Sequence, residues 1–137
     1  MNQTHQHVVA IHGLIKNGDK YLLTHRSETE DYQPGYWDIP GGGFEDDEFD
    51  SFIVLNREIS EEVGLNVKTG KIIHLFSEIQ SPIRHQFQAI YECEYQGGEV
   101  ILDLNEHDEY RWLTPKEMLD LPLMNFVRSL VEEVLLK

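Results

Sequence analysis

The sequence predicts an α+β fold, and three observations carry that reading. Runs rich in β-branched and aromatic residues recur between glycine, proline and asparagine turns. One internal segment, residues 50–63, places apolar residues at helical spacing and stops at a glycine. A second helix start is written near the C-terminus as a capping box.

Taken in order, "HVVAIHGLIKNGDKYLLTHRS" predicts two strands joined at Asn17-Gly18-Asp19, a hairpin signal between apolar runs. Glu28 to Gly35 is polar and turn-rich, an exposed loop. "YWDIPGGG" predicts a short strand broken by Pro40 and three glycines. The helix over 50–63 has Asp50 or Ser51 as its cap and Gly64 as its stop. "LNVKTGKIIHLFSEI" and "HQFQAIYECEY" are two more strands about a turn at Pro82, and "EYRWL" is another short one. Thr114-Pro115-Lys116-Glu117 then opens a helix, with threonine as cap, proline first and glutamate third. A final helix is expected from about Leu123 to Leu136. Repeats, low-complexity tracts and linkers are lacking, so 1–137 is expected to form a single domain.

The 137 residues suffice for one real core, and 40% apolar with 26% charged residues is ordinary for a globular chain. The formal net charge of −14 argues against a binder of nucleic-acid polymers, which needs a lysine and arginine stripe to displace counterions. A small phosphorylated substrate stays compatible with this charge where divalent cations stand between it and the carboxylates. Acidity also repels anionic membranes, and no apolar run approaches the ~20 residues of a membrane span. One cysteine, Cys93, cannot form an internal disulfide and reads as core filler. The N-terminus lacks the basic start of a signal peptide. A soluble, cytoplasmic protein is the expectation.

The stretch "REISEEVGL", Arg57 to Leu65, holds the chemistry. On a helix Glu58, Glu61 and Glu62 share a face at i, i+3 and i+4, and carboxylates that close repel one another unless cations compensate. Phe52, Leu55, Ile59 and Val63 form an apolar stripe. Ile53 and Val54 fall outside it, so the helix is expected to bury more than one side. Clustered oxygens suit hard divalent cations such as Mg²⁺, which bridge carboxylates to phosphates. Arg57 either pairs with Glu61 one turn on or orients a catalytic glutamate. From "REISEE" alone, a solvated helix with one salt bridge is the preferred reading. The glycines of "PGGGFEDDE" reverse that preference, because they place bare backbone beside the helix start, where it can approach a metal or phosphate.

Together, Pro40 to Leu65 resembles the Nudix box, the signature of Nudix hydrolases, and its MutT-like branch in particular. Gly42 and Glu48 fit the spacing G-x5-E, and Arg57-Glu58-Ile59-x-Glu61-Glu62-x-Gly64-Leu65 fits the second half completely. The departure is the link: eight residues separate Glu48 from Arg57 instead of seven, which leaves the role of Glu48 open.

The resemblance implies an α/β/α sandwich around a central mixed sheet and Mg²⁺- or Mn²⁺-dependent hydrolysis of a nucleoside diphosphate linked to another group. It implies metal binding by Glu58, Glu61 and Glu62 with help from Gly41, and an orienting role for Arg57. The catalytic candidates are thus Arg57, Glu58 and Glu61. A further acidic residue outside the box is expected from "NEHDEYRW": Glu106 as a metal ligand, or Glu109 as a general base, against a solvated turn. His107 is assigned to that same surface, and His5 and His7 to a frayed tail. For substrate, Gly42 offers backbone, and Arg26 either reaches a phosphate or makes a surface salt bridge. Asn125 resembles the asparagine with which some MutT-like proteins read an oxidised purine; otherwise it is a first-turn polar residue. Trp37, Tyr32 and Phe87 are stacking candidates, with core packing the safer reading of each.

The expected reaction is cleavage of a nucleoside triphosphate, an oxidised one such as 8-oxo-dGTP included, to the monophosphate and pyrophosphate. ADP-ribose or another nucleoside diphosphate sugar is the second reading, and a non-catalytic nucleotide sensor the third. The partner is a small nucleotide, and the resemblance also admits a homodimer.

Overall fold

The computed structural model describes residues 4–137. Among them, seven strands form one mixed sheet: β1 (Gln6–Asn17), β2 (Lys20–Arg26), β3 (Trp37–Asp38), β4 (Gly41–Gly43), β5 (Val67–Ser81), β6 (Arg84–Tyr95) and β7 (His107–Leu113). The main path runs β3-β2-β1-β6-β5, with β4 alongside β1 and β7 alongside β2. β1 and β6 are parallel from Gln6 opposite Arg84 to Lys16 opposite Glu94, while the other strand pairs are antiparallel. Gly18 and Asp19 close the first hairpin, with Gly18 in the left-handed region (φ 64°) that this turn requires.

Helices cover both faces. Helix α1 (Ser51–Val63) sets Val54, Leu55, Ile59 and Val63 on Ile11, Ile15, Leu22 and Cys93. Its close approach needs Gly13, where a Cβ would lie 2.8 Å from Ile59. On the opposite face α3 (Asn125–Leu130) sets Phe126, Val127 and Leu130 on Leu14, Leu23 and Ile90. Each such side chain, fully buried, contributes about 1.5–3 kcal/mol. The result is the α/β/α sandwich. Cys93 lies in the α1-side core, and burial pushes its thiol up to about 12, as suits filler.

The caps formed as the sequence indicates. The Asp50 side chain accepts from the Phe52 and Ile53 N–H groups, and Gly64 ends α1 in the left-handed region. Thr114 and Glu117 make a reciprocal capping box on the short α2 (Pro115–Met118).

Three expectations are corrected. Ile53 and Phe52 are 61% and 45% exposed, so α1 buries one broad face that includes Val54, and not several. The last helix starts at Asn125, because Met124 N–H donates to the Trp37 carbonyl and holds Leu123 and Met124 out of the helix; beyond Leu130 the chain winds on as a π-helical turn, Val131–Leu135. His7 is part of β1, directly opposite His85, and not frayed. No helix of the described residues is long and apolar enough to cross a membrane.

Candidate active site

β1 changes partners along its length, and the site lies where it does so. At Ala10–His12 it pairs with β4, and at Lys16–Asn17 with β2. The three glycines of β4 keep side chains out of this junction. At Gly41 a Cβ would collide with the Ile11 carbonyl oxygen, and at Gly42 it would sit 2.7 Å from the Glu58 carboxyl group. Bare backbone is therefore a steric requirement at Gly41, and at Gly42 it lets the Glu58 carboxyl group lie against the strand, whereas Gly43 has open space around it.

The three box glutamates do not stay together. Glu62, 4% exposed, points inward and accepts from the Gly41 N–H at 2.9 Å. Glu58, one turn before it, lies against Gly42 with its side chain 16% exposed. Glu61 turns to the rim, its side chain 56% exposed. Burial, then the hydrogen bonding and charge of Glu58, push the Glu62 carboxyl well above its ordinary range; the Gly41 N–H acts in the opposite direction.

Arg57 holds the cluster. It donates to Glu48 through two hydrogen bonds of 2.7 Å, to Glu58 at 2.7 Å, to Glu61 at 3.2 Å and to the Gly43 carbonyl at 3.2 Å. The Glu48 carboxylate is held below its usual range by that arginine. Phe49, in the longer link between Glu48 and Arg57, is 90% exposed, and the Arg57–Glu48 pair forms despite the extra residue. Glu48 is thus a partner of Arg57, a placement that the spacing had left open.

Beside Glu62 a bulge in β7, opposite His25 and Arg26, brings His107 inward, while Glu106, just before the strand, stays exposed. Glu62, Glu106 and His107 each bring a ligand atom into a group spanning no more than 4.8 Å. The assignment of His107 to a solvated surface is overturned: it is 3% exposed, its Nδ1 lies 3.8 Å from Glu62 Oε1, and neither ring nitrogen has a hydrogen-bond partner among the described residues. Burial lowers its pKa, which leaves a neutral imidazole with a free lone pair. Burial, then the charges of Asp103 and Glu58, raise that of Glu106. One buried carboxyl group, Glu62, an exposed one, Glu106, and an orphaned imidazole beside them form a donor set that a divalent cation fits.

These groups open into a cavity of ≈ 300 Å³. Gly41, Gly42, Glu62, Glu106, His107 and Arg26 all line it. Arg26 pairs with Asp38 at 3.2 Å and Glu30 at 3.5 Å, so its guanidinium makes salt bridges within the cavity wall. Glu109 and Asn125 lie elsewhere. Glu109 is exposed and paired with Arg111 at 2.8 Å. Asn125 is exposed at the first turn of α3, while its neighbours Met124 and Phe126 face the cavity. Trp37 is core; Tyr32 is 42% exposed at the cavity, with its hydroxyl donating to Glu78. Sequence reading missed Asp38, His107 and the polar strand face of Gln86 and Gln88. The last had a visible signal, polar residues at every second position of "RHQFQ".

Comparison with known proteins agrees with this geometry. The NUDIX domain model matches residues 5–134. CTP pyrophosphohydrolase of Escherichia coli (strain K12) is 29% identical over 117 residues, covering 85% of this chain and 82% of that protein. A MutT-like protein of Streptomyces ambofaciens is 30% identical over 112 residues, 82% of this chain and 67% of its own. The crystal structure of a MutT protein from Methanosarcina mazei Go1 superposes with a TM-score of 0.84 at 26% identity, covering 96% of this chain and 95% of that one. With Glu58 and Glu62 of the box at the glycine junction and the family model spanning nearly the whole chain, the protein belongs to the Nudix family and is a hydrolase of the MutT-like kind.

Proposed function

We propose that this Nudix hydrolase cleaves a nucleoside triphosphate to the monophosphate and pyrophosphate, with Mg²⁺ or Mn²⁺ as its cation. The observation that carries the reading is that Glu58 lies against Gly42 and Glu62 bonds to Gly41, while Glu106 and His107 bring ligand atoms into one group with Glu62. Left alone, that many carboxylates in a half-buried pocket repel; a cation and a phosphate chain complete the set. Similarity to a CTP pyrophosphohydrolase over most of both chains supports a triphosphate over a diphosphate sugar.

Glu62, Glu106 and His107 would hold the cation, with Glu58 beside them. Bound there, it would neutralise phosphate charge and lower the pKa of an attacking water. Glu58, half-buried and fixed by Arg57, is the residue placed to take a proton from that water. Glu61 and Glu48 act through Arg57, fixing its fork and thereby the Glu58 carboxylate. Arg26 compensates the charge of the phosphate chain from the cavity wall. Because Asn125 stands outside that wall, an oxidised purine loses the residue that suggested it. Glu109, tied to Arg111, gives way to Glu58 as the proposed base.

Phosphorus NMR of products from a nucleoside triphosphate panel and ADP-ribose, with Mg²⁺, tests the reading. Pyrophosphate and a monophosphate are expected, and Glu62→Gln should abolish them. Turnover of ADP-ribose to two monophosphates, with every triphosphate inert, would overturn the substrate class.

A further inference from the structure

The cavity has a second end, built on β6. Strand pleating turns Arg84, Gln86 and Gln88 to the α3 side of the sheet, the side that Ile90 takes in the core, and all three line the cavity. Val8 and Ala10 of β1 stand directly opposite Gln86 and Gln88 in register. Met124 and Phe126 complete an apolar wall. The carboxylates of the cavity are gathered elsewhere, Glu30 and Asp38 on Arg26 and Glu62 and Glu106 beside His107. One end is therefore acidic, and the other is made of the two amides, the Arg84 guanidinium and apolar surface.

The two amides are held differently. Gln88 is buried, and its Oε1 accepts from His12 Nε2 at 2.6 Å. The His12 ring is backed by Phe126, with centroids 4.4 Å apart. Gln88 oxygen is thereby committed, and its NH₂ is left as the donor. Gln86 is the reverse: its Oε1 is buried and has no hydrogen-bond partner among the described residues. A buried acceptor without a donor is rare in a folded protein, and a ligand N–H relieves it.

We infer that Gln86 and Gln88 read the nucleotide's base, Gln86 accepting from an exocyclic amino group and Gln88 donating to the neighbouring ring nitrogen, so that an amino-bearing base is chosen over its keto counterpart. The inference rests on the nucleotide reading given above. Cytosine presents an N4 amino donor beside the N3 acceptor, whereas uracil presents an O4 acceptor beside an N3–H donor, so both polarities are reversed. A free amide would turn over to suit either base. His12 removes that freedom at Gln88 and makes the end selective; it acts as a positioning residue.

Calorimetric binding of CMP and UMP, which requires no turnover, is the test. Wild-type protein should bind CMP at least about tenfold tighter than UMP, since a site built to hydrogen-bond one edge rejects the analogue that cannot supply it. Gln86→Leu should bring the two affinities to within about twofold, and Gln86→Glu, which keeps an acceptor, should retain the preference. Equal binding by the wild type, no binding of either nucleotide, or an unchanged ratio in Gln86→Leu would overturn the inference. CTP hydrolysis, measured beside it, separates the two readings. A CMP preference without triphosphate cleavage would retire the proposed reaction and leave base reading intact, and cleavage with no base preference would do the opposite.

Discussion

The Gly41 N–H and Glu62 Oε2 meet at 2.9 Å, one from the strand of glycines and the other from the buried face of α1. That bond satisfies one oxygen of a carboxyl group that burial and Glu58 otherwise disfavour as an anion. The native state therefore holds the Glu62 proton more tightly than the unfolded chain does. Its contribution to stability is fully present below the ordinary carboxyl value of 4.5 and is lost as pH rises from there through the raised native value.

It follows that Glu62→Gln should stabilise the cation-free protein at neutral pH, by about 1–3 kcal/mol, since glutamine keeps the acceptor and drops the charge. In thermal melts that corresponds to a rise of roughly 3–10 °C. Mg²⁺ should raise the wild-type melting temperature, more so at pH 8 than at pH 5, and leave Glu62→Gln unmoved. A variant less stable than wild type at pH 8 would show that Glu62 is not a destabilising anion.

Arg57 and Glu48 make a second prediction. Arg57→Ala and Glu48→Ala should each lower kcat by roughly 10–100-fold with the fold intact by circular dichroism, the loss typical when an orienting partner is removed. Their effects should not add, because both release the same guanidinium fork. Arg57→Lys should rescue little, for an ammonium cannot reproduce the paired donors. Full activity in Glu48→Ala would remove Glu48 from the machinery.

His107 provides a third. A neutral imidazole among carboxylates favours Mn²⁺ over Mg²⁺, because a nitrogen donor suits the transition metal better. His107→Asn should weaken Mn²⁺ binding, read by electron paramagnetic resonance, by at least about tenfold and Mg²⁺ binding by less. Equal losses for the two ions would place His107 outside the coordinating set.

Much of this was legible where the cause is local. The hairpin at Gly18, the Asp50 and Thr114 caps and the Gly64 stop each depend on residues within a turn of one another. The box showed its glutamates for the same reason, and Glu58 and Glu62 lie against the glycines of β4. What escaped depends on distant chain. Nothing in "NEHDEY" says that a bulge opposite Arg26 turns His107 beneath Glu62. The delayed start of α3 is set by a hydrogen bond to Trp37. Glu109 and Asn125 matched by position and chemistry, but their place relative to the cavity is a tertiary property.

A single arginine joining loop and helix also has a dynamic consequence. Residues 43–48 have little apolar burial of their own, and Arg57 ties both ends of that segment, the Gly43 carbonyl and the Glu48 carboxylate, to α1. Beyond the pairing of Gly43 with β1 and a short turn from Glu45 to Glu48, the loop has little else to hold it, so it and the helix should open as one cooperative unit, with amide protons of the loop exchanging at a rate set by α1. The resting enzyme would then keep its phosphate-facing backbone assembled before any nucleotide arrives, and the entropy of ordering it would already be spent during folding.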